Sequence, residues 1–185
     1  MLTRMPKRSV CAEIGVYQGD FSAKILEIVE PRQLHLIDPW KYESAPTYGA
    51  SWYGGKCGVD QSHMDGIHDR VVERFREPIA GGTVCVHRLD SSTASRGFPD
   101  GFFDWVYIDG NHLYQFVKDD LDRYYHKVKP GGFLAGDDYA KGDWWQGGVK
   151  AAVDEFVGTG LVEVVLLDKR QYCLAKKPAG LSPKG

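Results

Sequence analysis

The sequence predicts an α/β fold in which a doubly wound, mainly parallel sheet of about seven strands ends with an antiparallel strand. Two observations carry this prediction. Short apolar runs typical of strands buried on both faces alternate with segments that have the apolar spacing of amphipathic helices. Polar residues directly follow several of these runs, as expected where the carboxyl ends of parallel strands meet at a ligand site. Alternating strands and helices indicate βαβ units on a parallel sheet.

The predicted elements follow one another in chain order. The seven predicted strands are "SVCAEIGV" (9–16), "QLHLIDPW" (33–40), "GTVCVHRLD" (82–90), "FFDWVYI" (102–108), "FLAGDDY" (133–139), "LVEVVLLD" (161–168) and "RQYCLAKK" (170–177). The four predicted helices are "DFSAKILEIVE" (20–30), "HMDGIHDRVVERFRE" (63–77), "LYQFVKDDLDRYYHKV" (113–128) and "QGGVKAAVDEFVG" (146–158). Pro39 ends the second strand, and "KPGG" (129–132) is expected to separate the third helix from the next strand. The last two strands are expected to pair antiparallel.

Residues 1–176 are predicted to form a single domain, with 177–185 as a flexible tail. An aromatic insert, residues 41–63, interrupts the strand and helix pattern with several glycines and four aromatic side chains, Tyr42, Tyr48, Trp52 and Tyr53. A loop of this length inside a compact domain is usually functional or disordered. We interpret it as a mobile lid or acceptor loop over a site, with an inert surface loop as the alternative.

Composition excludes several classes of function. The net charge of -2 and a pI of about 6.3 give no general attraction to nucleic acid or to an anionic membrane. The four cysteines lie far apart and include no CxxC pair, which indicates neither a zinc knuckle nor a disulfide framework. The basic N-terminal segment lacks the apolar stretch of a signal peptide, so we expect a soluble, cytoplasmic protein. The oligomeric state stays open, with a homo-oligomer as one alternative.

The segment "EIGVYQG" (13–19) lies between the first predicted strand and a helix. Gly15 and Gly19 would let the backbone turn tightly and approach a ligand, and the start of the helix offers unpaired amides. A nucleotide-like cofactor fits such a turn, with Glu13 beside an ammonium or sulfonium group. The ExGxxxG spacing departs from the GxGxxG of dinucleotide sites, which argues against a nicotinamide cofactor. The alternative is an ordinary strand-to-helix turn.

Acids also end the second and third predicted strands. Asp38 could accept both hydroxyls of a ribose, as the acidic residue of nucleotide-binding βαβ units does, or could simply form the turn before Pro39. Asp90 and Ser91 could reach the amino group of an adenine. The alternative for this pair is ordinary helix-cap chemistry.

The order of Glu13-x-Gly15-x-x-x-Gly19, Asp38, "DWVYIDGNH" and "KPGGFLAGDDY" resembles the Rossmann-like class I S-adenosylmethionine-dependent methyltransferases over nearly the whole chain. The combination of "IDGNH" with "GDDY" is similar to the macrocin O-methyltransferase-like group, metal-dependent enzymes that methylate sugars of macrolide antibiotics. This resemblance implies that Asp109, Asp137 and Asp138 bind magnesium and that His112 acts as the base. It also implies a small-molecule acceptor that carries a hydroxyl.

The chemistry of the residues agrees with this hypothesis. Three carboxylates at the tips of two adjacent strands would repel one another, and a hard divalent cation such as Mg²⁺ relieves the repulsion. A metal-bound hydroxyl loses its proton more readily, and a neighbouring imidazole can take that proton near pH 7. The alternative for "GDDY" is a solvated turn, and His112 could instead make only a local hydrogen bond.

Several alternatives stay open at this point. Asn111 could orient a ligand or cap the following helix, and Trp144 and Trp145 could stack on an acceptor or anchor a helix. A metal-independent methyltransferase, a nicotinamide-dependent oxidoreductase and a cofactor-binding module without catalysis are the remaining functional alternatives.

Overall fold

The structure, a computed structural model, describes residues 1–56, 60–141, 144–168 and 170–178. Within these residues the seven strands are β1 (Val10–Ile14), β2 (Gln33–Ile37), β3 (Val84–His87), β4 (Phe103–Ile108), β5 (Val128–Gly136), β6 (Val162–Asp168) and β7 (Gln171–Lys176). The α-helices are α1 (Asp20–Val29), α2 (Gln61–Arg74), α3 (Arg76–Ala80), α4 (Ser91–Ser95), α5 (Tyr114–Lys127) and α6 (Gly148–Gly158). No helix in the described ranges is long and apolar enough to cross a membrane.

The strands form one sheet in the order β3-β2-β1-β4-β5-β7-β6. The first five strands of this order are parallel, and β7 runs antiparallel to both β5 and β6. This confirms the predicted α/β fold and its antiparallel C-terminal end. The chain runs from β1 to β2 and β3 on one side of β1 and then crosses to β4 on the other side, so a crevice for a ligand is expected at the carboxyl ends of β1 and β4.

The core covers both faces of the sheet, which explains the continuous apolar runs. In β4, Val106 packs on the side of α5 and α6, whereas Trp105 and Tyr107 pack on the side of α1 and α2. Asp104, the polar member of this strand, accepts hydrogen bonds from the backbone amide of Val10 (2.7 Å) and from Lys129 (2.5 Å). Its charge is therefore compensated within the sheet.

The segment "KPGG" differs from the prediction, because it lies inside β5 and does not precede it. Val128 pairs with Phe103, and the next partners along the two strands are Phe133 and Trp105, so residues 129–132 form a bulge. Gly132 needs to be glycine because a Cβ there would lie 2.4 Å from the carbonyl oxygen of Asp104. The proline and the glycines therefore end α5 and shape an irregular strand start in the same turn.

The aromatic insert ends earlier than predicted, since α2 begins at Gln61. Asp60 caps this helix by accepting a hydrogen bond from the amide of His63 (3.2 Å). The short helices α3 and α4 were not predicted. Residues 57–59 of the insert and 179–185 of the predicted tail lie outside the described residues.

Candidate functional site

A cavity of about 600 Å³ opens at the carboxyl edge of the sheet. Its wall comes from the glycine turn after β1, the end of β2, the aromatic insert, and the loops that follow β3, β4 and β5. The loops from both sides of the β1–β4 crevice therefore converge on one space, as the parallel topology leads us to expect.

Asp109, His112 and Asp138 meet at one side of this cavity. Nε2 of His112 lies 3.2 Å from Oδ1 of Asp109, and Nδ1 lies 3.3 Å from Oδ2 of Asp138. One ligand atom from each of the three residues falls within 4.8 Å of the other two. The guanidinium of Arg170, in the turn between β6 and β7, pairs with Asp138 from the other side. The arrangement of two carboxylates and an imidazole is chemically suited to a divalent cation.

Asp137 is placed differently from its neighbour. Its Oδ1 accepts a hydrogen bond from the backbone amide of Asp138 (2.8 Å), and Asp138 alone of the two lines the cavity. The backbone of Asp138 has φ +58°, a left-handed conformation that Asp tolerates better than most residues. Burial raises the pKa of Asp137 to about 6, with the Asp109 charge acting in the same direction. The structure thus brings two of the three predicted metal ligands together, and the third stays a prediction.

The glycine turn fits tightly against β4. Gly15 lines the cavity with φ +84°, and a Cβ at this position would lie 2.1 Å from the carbonyl oxygen of Asp109. Gly19 has φ +77° at the start of α1, where a Cβ would lie 2.7 Å from Cε2 of Phe75. Both positions need glycine. Only Gly15 borders the cavity directly.

Glu13 lies at the carboxyl end of β1 and borders the same cavity. It accepts a hydrogen bond from the hydroxyl of Ser22 (2.5 Å) and is almost completely buried. Burial raises the pKa of Glu13 well above its usual value, although the Ser22 hydrogen bond opposes this. A positive charge next to Glu13 would favour its ionised form, which agrees with the predicted position beside an ammonium or sulfonium.

Asp38 is completely buried and bonded to protein donors through both oxygens. Its Oδ2 accepts hydrogen bonds from the backbone amides of Val16 (2.8 Å) and Tyr17 (3.0 Å) and from the hydroxyl of Tyr53. Its Oδ1 accepts one from the amide of Trp40 (2.6 Å). Asp38 thus ties the glycine turn to the aromatic insert. Ribose binding by Asp38 stays a prediction, and it requires the Tyr53 hydroxyl to move away.

Asp90 caps α4, as the alternative interpretation of this segment proposed. Its two oxygens accept hydrogen bonds from the amide of Thr93 (2.8 Å) and from the hydroxyls of Ser92 and Thr93. These bonds lower the pKa of Asp90 to about 2, with that from Ser92 having the largest effect. Asp90 and Ser91 both border the cavity, and the Ser91 hydroxyl donates to Oδ1 of Asp120 (2.5 Å). Their predicted contact with adenine stays a prediction.

Sequence reasoning missed Asp120 and Arg170. Asp120 occupies the buried side of α5 with Val117, Leu121 and Tyr124, so an acid within this apolar stripe was a readable signal. Arg170 carries no such signal, because its contact with Asp138 depends on how the β6–β7 turn folds back.

The aromatic insert covers the side of the cavity next to His112. The hydroxyl of Tyr48 accepts a hydrogen bond from Nδ2 of Asn111 (2.8 Å), and its ring packs edge-on against Trp144 with centroids 5.6 Å apart. Oδ1 of Asn111 accepts from the amide of Leu113 (3.1 Å), so Asn111 both stabilises the helix start and holds the insert. Both tryptophans border the cavity, with Trp145 buried in the core and Trp144 half-buried.

Comparison with solved structures shows the same fold in several proteins, methyltransferases among them. A protein from Corynebacterium glutamicum is 12% identical, with 98% of this chain and 81% of that chain covered and a TM-score of 0.65. The O-methyltransferase TomG from Streptomyces achromogenes, involved in tomaymycin synthesis and solved in complex with SAM, is 14% identical over 92% of this chain and 74% of its own, with a TM-score of 0.64. The N-methyltransferase NodS from Bradyrhizobium japonicum is 14% identical over 93% and 88%, with a TM-score of 0.57.

These identities are low, so the three structures establish the fold and leave the atom that is methylated open. No curated protein matches the sequence. Residues 12–139 match the protein family described as "Methyltransferase domain", and this match runs from within β1 to the acid pair after β5. The chain therefore belongs to this family of methyltransferase domains.

Proposed function

We propose that the protein is an S-adenosylmethionine-dependent O-methyltransferase that acts on a hydroxyl of a small molecule with the help of a divalent cation such as Mg²⁺. The observation that carries the proposal is the convergence of Asp109, Asp138 and His112 in the cavity that the glycine turn borders. The match to the methyltransferase domain family supports methyl transfer, and TomG, an O-methyltransferase solved with bound SAM, is an example of this fold with the proposed cofactor. A sugar or a glycosylated natural product is the acceptor class that we propose.

The residues present fit a divalent cation. Asp109 and Asp138 each present a carboxylate oxygen to the same small volume, and oxygen is the ligand atom that Mg²⁺ prefers. Nδ1 of His112 is buried and forms no well-aligned hydrogen bond with any described residue, although Oδ2 of Asp138 is near. A bound cation would lower the pKa of an acceptor hydroxyl.

His112 is the group that we propose as the proton acceptor. Both ring nitrogens of His112 face carboxylates, Nε2 towards Asp109 (3.2 Å) and Nδ1 towards Asp138 (3.3 Å). A cation held by the two carboxylates would free one of these nitrogens to take a proton from an acceptor hydroxyl. Asp109, at 3.2 Å from Nε2, would stabilise the imidazolium that forms. The ring of Trp145 packs edge-on against His112 with centroids 5.1 Å apart and restricts its orientation.

The part of the cavity next to the glycine turn would bind the methyl donor. Gly15 lets the backbone come close to the ligand, and Glu13 provides an acid for a cationic group of the donor. The sulfonium of the cofactor supplies the electrophilic methyl group. Holding donor and acceptor in one closed space contributes much of the acceleration in a transfer of this kind.

Calorimetric titrations with S-adenosylhomocysteine, NAD⁺ and Mg²⁺ test the proposal. We expect S-adenosylhomocysteine and Mg²⁺ to bind and NAD⁺ not to bind. Asp138→Ala should abolish binding of Mg²⁺ and keep the affinity for S-adenosylhomocysteine. Asp137→Ala is the matched control, and it should lose less affinity for Mg²⁺ than Asp138→Ala does. Binding of NAD⁺ without S-adenosylhomocysteine would contradict the methyltransferase proposal, and loss of nucleoside affinity in Asp138→Ala would contradict the proposed geometry.

His112→Ala separates a base from a metal ligand. As a base, its removal should leave Mg²⁺ affinity within a few-fold of the wild-type value and lower methyl transfer by about 10²–10⁴-fold. A loss of Mg²⁺ affinity as large as that of Asp138→Ala would instead make His112 a ligand.

A metal-independent methyltransferase is the second candidate, and one observation favours it. Arg170 pairs with Asp138, so a cationic side chain already compensates part of the acidic charge. This candidate predicts full activity in the presence of a chelator. The O-methyltransferase proposal predicts that a chelator removes activity and that added Mg²⁺ restores it.

A further inference from the structure

Asp120 places a carboxyl group on the buried side of α5, where its neighbours on the helix are apolar. The residue is 5% exposed, and Val117, Leu121 and Tyr124 on the same side are buried in the core. A buried carboxyl without partners is destabilising, so each of its oxygens requires an explanation. Oδ1 accepts a hydrogen bond from Ser91 (2.5 Å). Oδ2 accepts none from the residues that the structure describes, and Asp120 borders the cavity.

The surroundings of Oδ2 leave room for a ligand. A Cβ on Gly110 would lie 3.9 Å from this oxygen and 3.4 Å from Cγ2 of Ile14, so a larger side chain at Gly110 would reduce the space. Ser91 is held in place because the Tyr124 hydroxyl donates to its carbonyl oxygen (2.9 Å). Asp120, Ser91 and Tyr124 thus form a fixed group with one unused acceptor atom.

Asp90, the other acid at this end of the cavity, is already occupied. Its Oδ1 accepts hydrogen bonds from the Ser92 hydroxyl and the Thr93 amide, and its Oδ2 accepts one from the Thr93 hydroxyl, so Asp90 is engaged in capping α4. Contact with a ligand through these oxygens would compete with the helix cap. A ligand could extend from the glycine turn past β2 towards the end of β3. Of the two acids at this end of the cavity, Asp120 is the one with an acceptor atom that no described residue uses.

We propose that Asp120 recognises the base of an adenosyl cofactor, with Oδ2 accepting a hydrogen bond from the exocyclic amino group of adenine. The inference rests on the proposed function, since it assumes that the nucleoside of the methyl donor lies in this cavity. Burial raises the pKa of Asp120 to about 7, with the Ser91 hydrogen bond opposing this shift, and an amino group that donates to Oδ2 would favour the ionised form. Asp120 acts here as a residue that determines base specificity.

The test compares two nucleosides whose bases differ at C6 and at the adjacent N1. S-Inosylhomocysteine carries a carbonyl where S-adenosylhomocysteine carries the amino group, and a proton on N1, so the group at C6 presents an acceptor to Oδ2 in place of a donor. Calorimetry with the wild-type protein should show a preference for S-adenosylhomocysteine of about 10- to 100-fold, the range for a hydrogen bond to a charged group. Asp120→Asn keeps the shape and the contact with Ser91 but can turn a donor towards the carbonyl. We expect it to reduce the preference to near unity or to reverse it.

Two matched variants make the result specific. Asp119→Asn changes the neighbouring acid, which accepts from Gln115 (3.0 Å), and should keep the wild-type preference. If Asp120→Asn binds both nucleosides with the wild-type ratio, or weakens both equally, the inference is wrong and Asp120 is structural. A changed ratio in Asp90→Asn alone would assign the recognition to Asp90. Absence of S-adenosylhomocysteine binding by the wild-type protein would instead overturn the proposed function.

Discussion

Substitution of Gly15 by alanine should destabilise the fold and displace Asp109 at the same time. The added Cβ would lie 2.1 Å from the carbonyl oxygen and 2.5 Å from the carbonyl carbon of Asp109. Overpacking of this kind costs about 1–3 kcal/mol. The left-handed backbone conformation, φ +84°, adds roughly 1–2 kcal/mol for a residue with a side chain. Together these are a large fraction of the roughly 5–15 kcal/mol that stabilises a typical domain.

Gly82→Ala is the matched control because Gly82 has nearly the same backbone conformation, φ +75°, with nothing within 4 Å of the added Cβ. Urea unfolding should show Gly15→Ala to be less stable than Gly82→Ala by the packing contribution, with equal denaturant slopes. Gly15→Ala should also weaken Mg²⁺ binding and lower methyl transfer by about 10²-fold, the effect of misplacing a site residue by 1 Å. Equal stability of the two variants would show that Gly15 is not packed against Asp109.

Three further predictions concern other parts of the molecule. Burial, with the neighbouring His87, lowers the pKa of His35 to about 4. Between pH 4 and 6.5 the unfolded chain therefore binds more protons at His35 than the folded protein does. The free energy of unfolding should rise with pH by up to about 3 kcal/mol across this interval. Urea unfolding at several pH values should show this rise in the wild type and a smaller one in His35→Phe. Arg170→Ala removes a cation from Asp138 and should raise Mg²⁺ affinity several-fold by calorimetry, whereas lower affinity would mean that Arg170 helps to build the site. Tyr53→Phe removes a donor from Asp38 and should raise S-adenosylhomocysteine affinity by about 5- to 10-fold, whereas weaker binding would place the Tyr53 hydroxyl in contact with the bound nucleoside.

The sheet and the placement of Asp109 and Asp138 could be predicted because both follow from strand chemistry. Apolar runs identify strands that are buried on both faces, and parallel strands bring their carboxyl ends to the same edge. His112 could be included because it follows Asp109 by only three residues, so local geometry keeps the two side chains close. The sequence was informative wherever one strand and its own loop determine the position of a side chain.

The details that escaped prediction depend on contacts between distant segments or on one backbone angle. Asp38 turns inward because three parts of the chain donate to it, namely the amides of the glycine turn, the amide of Trp40 and the hydroxyl of Tyr53 in the aromatic insert. The difference between Asp137 and Asp138 arises from the left-handed backbone of Asp138, which "GDDY" does not encode. The apolar stripe of α5 gave a signal for a buried Asp120, but its contact with Ser91 of α4 depends on how two separate helices pack.

The cavity has a floor, formed by the glycine turn and the acids that follow the strands, and a cover, formed by the aromatic insert. Different kinds of contact hold these two parts in place. Backbone hydrogen bonds join the floor: Gly15 donates to Ile37 (2.9 Å) and Asp109 donates to Ile14 (2.8 Å), so the glycine turn and the first acid form one rigid unit. The aromatic insert is attached to this floor through side chains, with Tyr53 on Asp38 and Tyr48 on Asn111.

The insert also has hydrogen bonds of its own, from the amide of Glu43 to the carbonyl of Tyr53 (2.8 Å) and from Gly55 to Tyr48 (3.0 Å). Release of the insert as a unit would break a few side-chain hydrogen bonds, each worth about 0.5–1.5 kcal/mol, and the packing of its aromatic side chains, but would leave the strand ends in place. Because the floor carries the acids and the insert carries the aromatic surface, we expect substitutions in the insert to alter acceptor preference. Substitutions in the floor should alter methyl transfer to every acceptor alike.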